Sequence, residues 1–358
     1  MWIIYLLAGV LVLIGGGLIF WLARPTHTPP IRSSQGQPLP GSIAQTERLQ
    51  IGGVQQWVAI RGRDRSNPVI LYLHGGPGTP ETAWLHHYNA NLEDHFVVVA
   101  WEQRGAGKSY AADIPPESMT LESFIADAHE LTQILKKRFH VPKIYLVGHS
   151  WGACLGLLTA ARYAQDYYAY VAVSQPVCLA DNEEVSYQWV LDTAIARGNH
   201  KAVRQLQAIG RPQQGRYSQG FQAVATKGKW IRALGGTLYG RNALPVLLGV
   251  LLRSPIYNGL DLFSYIRGEQ LTVRHLWSSI EALDLRQSSQ LELPLYLFHG
   301  KGDYQAIYPL AKTWFDAVQA PRKEIVALDR VAHGALFEAP DRFLELMLQV
   351  RAETYPEP

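Results

Sequence analysis

The chain has 358 residues, 47% hydrophobic and 18% charged, a balance that supports a large packed core and excludes a disordered chain. Its net charge of +3 is spread over the whole length with no dense Lys/Arg block, which argues against nucleic acid as a partner. Two cysteines, Cys154 and Cys178, are too few for a disulfide framework or a metal set, and no cofactor is expected.

Residues 1–23, MWIIYLLAGVLVLIGGGLIFWLA, carry no charged side chain, and Arg24-Pro25 follows. At 1.5 Å rise such a run matches a hydrocarbon core of about 30 Å, so a single transmembrane helix is expected. Trp2, Tyr5 and Trp21 lie near its ends, as interfacial aromatics do. A cleaved signal peptide fits less well, because no basic residue opens the run and Trp21-Leu22-Ala23 is a poor cleavage site. Arg24 and Arg32 follow the span, which leans towards a cytoplasmic catalytic domain. The glycines at 15–17 lack the strand–turn–helix setting of a dinucleotide loop.

Residues 24–45 are rich in Pro, Ser and Gly and read as a semi-rigid spacer. Strands are expected at Gln55–Arg61, Val69–Leu73, Phe96–Trp101, Ile144–Val147 and Tyr170–Ser174. A long helix is expected at Leu121–Phe139 and another from Trp151. This alternation implies a mostly parallel sheet with helices on both faces, its first part covering residues 46–175. Over 176–290 helical patterns such as Tyr187–Arg197 and Leu244–Leu252 dominate, the composition of a helical cap. Leu244–Leu252 is too short to span a bilayer and reads as a buried cap helix, with membrane contact as the lesser option. The α/β rhythm resumes over 291–358, with strands at Leu293–Phe298 and Glu324–Leu328 and a helix at Arg342–Arg351.

Gly148-x-Ser150-x-Gly152 follows a strand and opens a helix, the setting of a nucleophile elbow. In that architecture an acid and then a histidine follow the serine along the chain. Asp303 lies in the loop after strand 293–298, and His333 in the loop after strand 324–328. All three then emerge at the carboxyl ends of strands, where open α/β sheets place their sites. Asp329 and His299 are the nearest rivals; each ends a strand and fits a packing or turn role better.

His74-Gly75-Gly76-Pro77-Gly78 breaks abruptly from the strand Val69–Leu73. Such a loop lets a carbonyl approach the backbone, so the Gly76 and Trp151 N–H groups are the expected oxyanion donors. The sequence RGAGKS is no phosphate loop, because Glu102 stands where the first glycine would be needed. His86-His87 has no partners at metal spacing.

HGGPG at 74–78, WEQRGAGKS at 101–109, GHSWG at 148–152, GKGDY around Asp303 and AHGALFEAPDRF at 332–343 resemble the successive signatures of the proline iminopeptidase-like α/β-hydrolases. The resemblance spans residues 46–351. It implies an α/β-hydrolase fold, Ser150, Asp303 and His333 as the triad, Gly76 and Trp151 as oxyanion donors, and cleavage of the amide after an N-terminal residue, commonly proline. The family has Asp where Glu102 stands. It also implies acidic cap residues for a substrate ammonium. Glu183 or Glu184 could serve, but Asp181-x-x-Glu184 also has the spacing of a helix capping box, and both readings stand. An ester or acylglycerol substrate with the same triad is the alternative. A silent, partner-binding scaffold is disfavoured because all three triad positions are filled.

Overall fold

The computed structural model describes residues 21–356. The expected membrane span therefore lies, up to residue 20, outside the described residues; residues 21–23 are helical. Among the described residues no helix is long and apolar enough to cross a membrane.

Eight strands form one sheet: β1 (Ile43–Ile51), β2 (Val54–Gly62), β3 (Val69–Leu73), β4 (Val97–Glu102), β5 (Ile144–His149), β6 (Tyr167–Val173), β7 (Leu295–Gly300) and β8 (Lys323–Leu328). Their spatial order is β1-β2-β4-β3-β5-β6-β7-β8. β1 and β2 are antiparallel to their neighbours, and the rest run parallel. The central strands read VILYL and VVVAWE and are buried at every position, as strands covered on both faces must be. Successive side chains serve opposite faces. Leu71 and Leu73 join the layer containing α2 (Leu121–Phe139) and α3 (Trp151–Arg162), whereas Ile70 and Tyr72 join the layer containing α1 (Thr82–Tyr88).

Between β6 and β7 the chain forms α4 (Leu179–Ala196), α5 (His200–Ile209), α6 (Phe221–Leu234), α7 (Ala243–Arg253) and α8 (Gly259–Glu281). α8 starts in a capping box in which Asn258 and Asp261 each accept from the other's main-chain N–H. After β7 come α9 (Tyr308–Ala317), then β8, a short turn of helix α10 (Ala335–Glu338) and α11 (Pro340–Thr354).

Three sequence expectations need correction here. β1 was missing from the expected strands because it is an edge strand with only its two end residues buried, so it carries no alternating apolar pattern. The stretch 24–45 is no free spacer. Arg24 donates to the Ser254 and Tyr257 carbonyls, Arg61 donates to the Pro29 carbonyl, Ile31 is buried, and residues 43–45 belong to β1. α7 is not the buried helix expected: Val250 and Leu251 face inward, but Leu244, Leu248 and Leu252 are exposed.

Candidate active site

Ser150 sits between β5 and α3 at φ 54° and ψ −119°, a region that ordinary L residues avoid. The flanking glycines make the turn possible. A Cβ on Gly148 would lie 2.2 Å from the Gly152 carbonyl oxygen, and one on Gly152 would lie 2.0 Å from that of Leu73. Any side chain at either position would collide with main chain. The Ser150 N–H donates to the Val173 carbonyl at 3.0 Å, which ties the turn to β6.

The loops after β7 and β8 bring Asp303 and His333 to this turn. Ser150 Oγ lies 2.9 Å from His333 Nε2, and His333 Nδ1 lies 2.9 Å from Asp303 Oδ2. An ionised carboxylate only accepts, so Nδ1–H donates to Asp303 and leaves Nε2 to accept from the serine hydroxyl. The other Asp303 oxygen accepts from the Gln305 and Ala306 N–H groups, each at 2.8 Å. Burial works against the Asp303 charge, but His333 and His299 facing it hold the carboxyl well below its usual range. His299 lies behind Asp303 at 3.4 Å and donates Nε2–H to the Ala306 carbonyl. Asp329 is on the surface, paired with Lys301.

Gly76 and Trp151 line the same cavity as Ser150 and His333, a space of about 160 Å³. Neither main-chain N–H has a hydrogen-bond acceptor among the described residues. Gly76 takes φ 118°, and a Cβ there would crowd the amides of Gly78 and Thr79 within 2.7 Å. Gln103 fixes the loop against the elbow. It donates its amide to the His74 carbonyl and accepts from the Trp151 indole. His74 accepts from the Gln103 N–H, and burial lowers its pKa to about 4, so it stays neutral.

A second acid–histidine pair lies beneath this arrangement, and it was missed in the sequence. The buried Glu81 carboxylate accepts from Tyr72 Oη at 2.6 Å, from the Gly75 N–H at 3.1 Å and from His149 Nδ1 at 2.8 Å. His149 Nε2 lies 2.9 Å from the His333 carbonyl oxygen, which also accepts from Ser174 Oγ at 2.8 Å. Both ring nitrogens of His149 thus face groups that only accept, a pattern that requires the imidazolium. Burial disfavours that cation, yet the Glu81 charge outweighs burial and raises the His149 pKa. The signal available in the sequence was thin: a lone acid shortly after HGGPG, and the histidine preceding the serine.

Of the two cap acids, Glu183 lines the cavity and Glu184 does not. Glu183 is not free. Lys227 of α6 donates to its carboxylate and also to Ser186 Oγ at 2.6 Å, and all three residues are buried. The capping reading also fails: α4 starts earlier, from Cys178, without a side-chain cap, and Asp181 pairs with Arg286. Most of the remaining lining is apolar, including Val177, Leu179, Val224, Trp277, Ile280 and Leu283, with Gln305 as a further polar group. Cys154 also lines the cavity, and burial pushes its thiol up to about 12, which leaves it unreactive. Both cysteines are free and buried. No group of metal-ligating side chains occurs among the described residues; His86 faces Glu93, and His87 stacks edge-on against Tyr88.

The strand order and the serine elbow define an α/β-hydrolase, and residues 68–208 match the family model described as alpha/beta hydrolase fold. A probable aminopeptidase of Bacillus subtilis (strain 168), YbaC, is 32% identical over 304 residues, covering 84% of this chain and 94% of the relative. The chain belongs to the proline iminopeptidase-like α/β-hydrolases. Solved structures agree on the fold. The proline iminopeptidase-related protein of Thermus thermophilus aligns with a TM-score of 0.60 at 20% identity, over 88% of this chain and 99% of that one. A membrane phospholipase A, described as a bacterial virulence factor, aligns with a TM-score of 0.63 at 16% identity over 100% of both chains.

Proposed function

We propose that this chain is a membrane-tethered serine hydrolase, with Ser150 as nucleophile, His333 as general base and acid, and Asp303 as its orienting carboxylate. The observation that carries the reading is the hydrogen-bonded chain from Ser150 Oγ through His333 to Asp303 at the wall of a cavity. In this reading the Ser150 oxygen bonds to a substrate carbonyl carbon as its proton passes to Nε2, and Asp303 balances the imidazolium charge. The carbonyl oxygen becomes an oxyanion and accepts from the Gly76 and Trp151 N–H groups, donors worth about 3–4 kcal/mol each in such sites. His333 then returns the proton to the leaving atom, and an acyl ester remains on Ser150. Water, giving its proton to the same imidazole, releases the acid and restores the hydroxyl.

Residues 1–23 form the tether in this reading, supported by a run without charge. Residues 46–175 and 291–358 make the core, and 176–290 make a cap that closes the cavity from above. Kinship with a probable aminopeptidase favours the amide after a peptide's N-terminal residue. One observation favours a second substrate class. The sole carboxylate among the described residues lining the cavity is neutralised by Lys227, and most of the lining around it is apolar, a setting better suited to an uncharged acyl group than to an ammonium. A fluorophosphonate probe should label the full-length chain but not Ser150→Ala; labelling that persists in the variant ends the mechanism. Parallel rates on prolyl-naphthylamide and p-nitrophenyl esters separate the substrates, since turnover of esters alone rejects the peptidase reading.

A further inference from the structure

The outer faces of α7 and α8 carry large apolar side chains that nothing in the described fold covers. Leu244, Leu248 and Leu252 are spaced by four residues and so share one stripe of α7; Leu260, Phe263 and Ile266 are spaced by three on α8. Each is between 38% and 61% exposed. The opposite side of α7 is also apolar and fully used: Val250 and Leu251 pack inward, and the Trp84 indole donates to the Leu247 carbonyl. Apolar residues on both sides of a helix need cover on both sides, and the described residues supply only one.

What lies next to the stripes identifies the cover. The turn between the two helices is where the N-terminal segment meets the body. Trp21 and Leu22 pack on Gly259 so closely that a Cβ there would lie 2.4 Å from a Leu22 methyl and 2.7 Å from the Trp21 ring. Arg24 donates to the carbonyls of Ser254 and Tyr257 at 2.7 and 2.9 Å, and Asn258 donates back to the Arg24 carbonyl at 2.9 Å. The uncharged run therefore leads into this turn, with Leu252 on one side of it and Leu260 on the other. The charges flanking α7 are of one kind. From Arg241 to Leu260 the chain has two arginines and no acid, and both arginines are exposed. Arg267 lies over the Phe263 ring, 5.7 Å from its centre. The acid at the start of α8, Asp261, is already paired with Lys108. Leucines and a phenylalanine fringed by arginines fit the boundary between anionic headgroups and acyl chains.

The geometry points to the outer face of the α7–α8 pair lying in the surface of the membrane that holds the tether, on an anionic leaflet. This rests on the tethered reading above. It makes the contact two-part: one span through the bilayer and one apolar face upon it, so that the body is held in a fixed orientation.

The test uses the full-length chain in vesicles of phosphatidylcholine and phosphatidylglycerol, with an environment-sensitive fluorophore on Leu248→Cys, Phe263→Cys or, as control, Ala317→Cys at the end of α9. Both native thiols are buried and should not compete for label. The expected result is flotation of all three with the vesicles, with doxyl-lipid quenching of at least about twofold at positions 248 and 263 and none at 317. Flotation with equal quenching at all three positions overturns the docking and leaves the tether standing. Absence of flotation overturns both. Lack of quenching together with chain-to-chain cross-linking through position 263 overturns the docking and assigns the face to a second copy.

Discussion

Two buried acid–base pairs face the same cavity, and they have been made for opposite ends. Asp303 holds a histidine whose second nitrogen remains available to Ser150. Glu183 holds a lysine that also donates to Ser186 Oγ. In the first pair the carboxylate is held locally, with Asp303 fixed by two amides of its own loop. The second joins residues 44 apart in sequence on two different helices, and its charges cancel. A charge held next to a group that can gain and lose a proton is poised for chemistry; a charge matched by a lysine ammonium shapes what the cavity will accept.

The largest effect should come from breaking the first pair. His333→Ala removes the proposed base and leaves only the proposed oxyanion donors and binding, so kcat on an activated ester should fall by roughly 10⁴-fold or more. Its melting temperature should fall only modestly, because the buried Asp303 carboxylate, deprived of His333, keeps the Gln305 and Ala306 N–H groups and its contact with His299. Steady-state kinetics with a melt of the same preparation checks both; a variant that keeps a tenth of the activity removes His333 from the mechanism.

Breaking the second pair should cost stability first. Lys227→Met strands a buried carboxylate, a change worth about 3–5 kcal/mol, whereas Lys227→Met with Glu183→Leu should recover most of it. Denaturant unfolding of the two variants reads this directly. The comparison is sharpened by selectivity. Where Lys227→Met folds, the freed Glu183 should raise the preference for a free-amine amide over an ester by about tenfold, because its carboxylate can then accept a charge-assisted hydrogen bond from the substrate ammonium. An unchanged ratio would mean that Glu183 does not face the substrate's amine position.

Why one pair was visible in the sequence and the other was not follows from how each is built. Ser150, Asp303 and His333 stand in loops directly after Val- and Leu-rich strands, and the glycines around Ser150 are forced by main-chain atoms that approach the turn closely. Such constraints leave a trace in spacing. Lys227 meets Glu183 only because α4 and α6 pack together, and helix packing leaves no such spacing. The Glu81–His149 pair has the same difficulty, since its members belong to separate stretches that the parallel sheet brings together. β1 escaped because an edge strand need not alternate. The stripe on α7 reads from sequence as a buried face first and a membrane contact second, because apolar composition says that a face needs cover, not what provides it.

The Glu81–His149 pair should give the next effect. Glu81→Gln removes the charge that keeps His149 doubly protonated, so the neutral ring keeps a single N–H and can no longer donate to both position 81 and the His333 carbonyl. A loss of kcat of about tenfold and of stability of about 2 kcal/mol is expected. The pH dependence distinguishes positioning from bulk packing. The His149 pKa is raised on folding, so its stabilisation is present below about 6.5 and is lost as pH rises through the elevated folded value. The Glu81 pKa is lowered, so its stabilisation is present above about 4.5 and is lost as pH falls through the depressed folded value. The wild type should therefore show a plateau of stability between those limits. Glu81→Gln should flatten both edges; melts across pH that remain superimposable after the change would assign the pair no electrostatic role.

The smallest effect should come from Glu184→Ala, and its smallness carries the information. Glu183 and Glu184 are neighbours on α4, so helical geometry turns their side chains about 100° apart. Glu183 is therefore inside against Lys227, while Glu184 is half-buried and outside the cavity lining. Removing a carboxylate with no paired cation among the described residues and no place in the cavity wall should leave kcat/KM within about twofold and stability within about 0.5 kcal/mol. Rates on prolyl-naphthylamide are the measurement that matters, because an ammonium-binding acid would announce itself there before anywhere else. A tenfold rise in KM for the amide, with ester kinetics untouched, would place the amine site at Glu184 and return Glu183–Lys227 to a purely structural part.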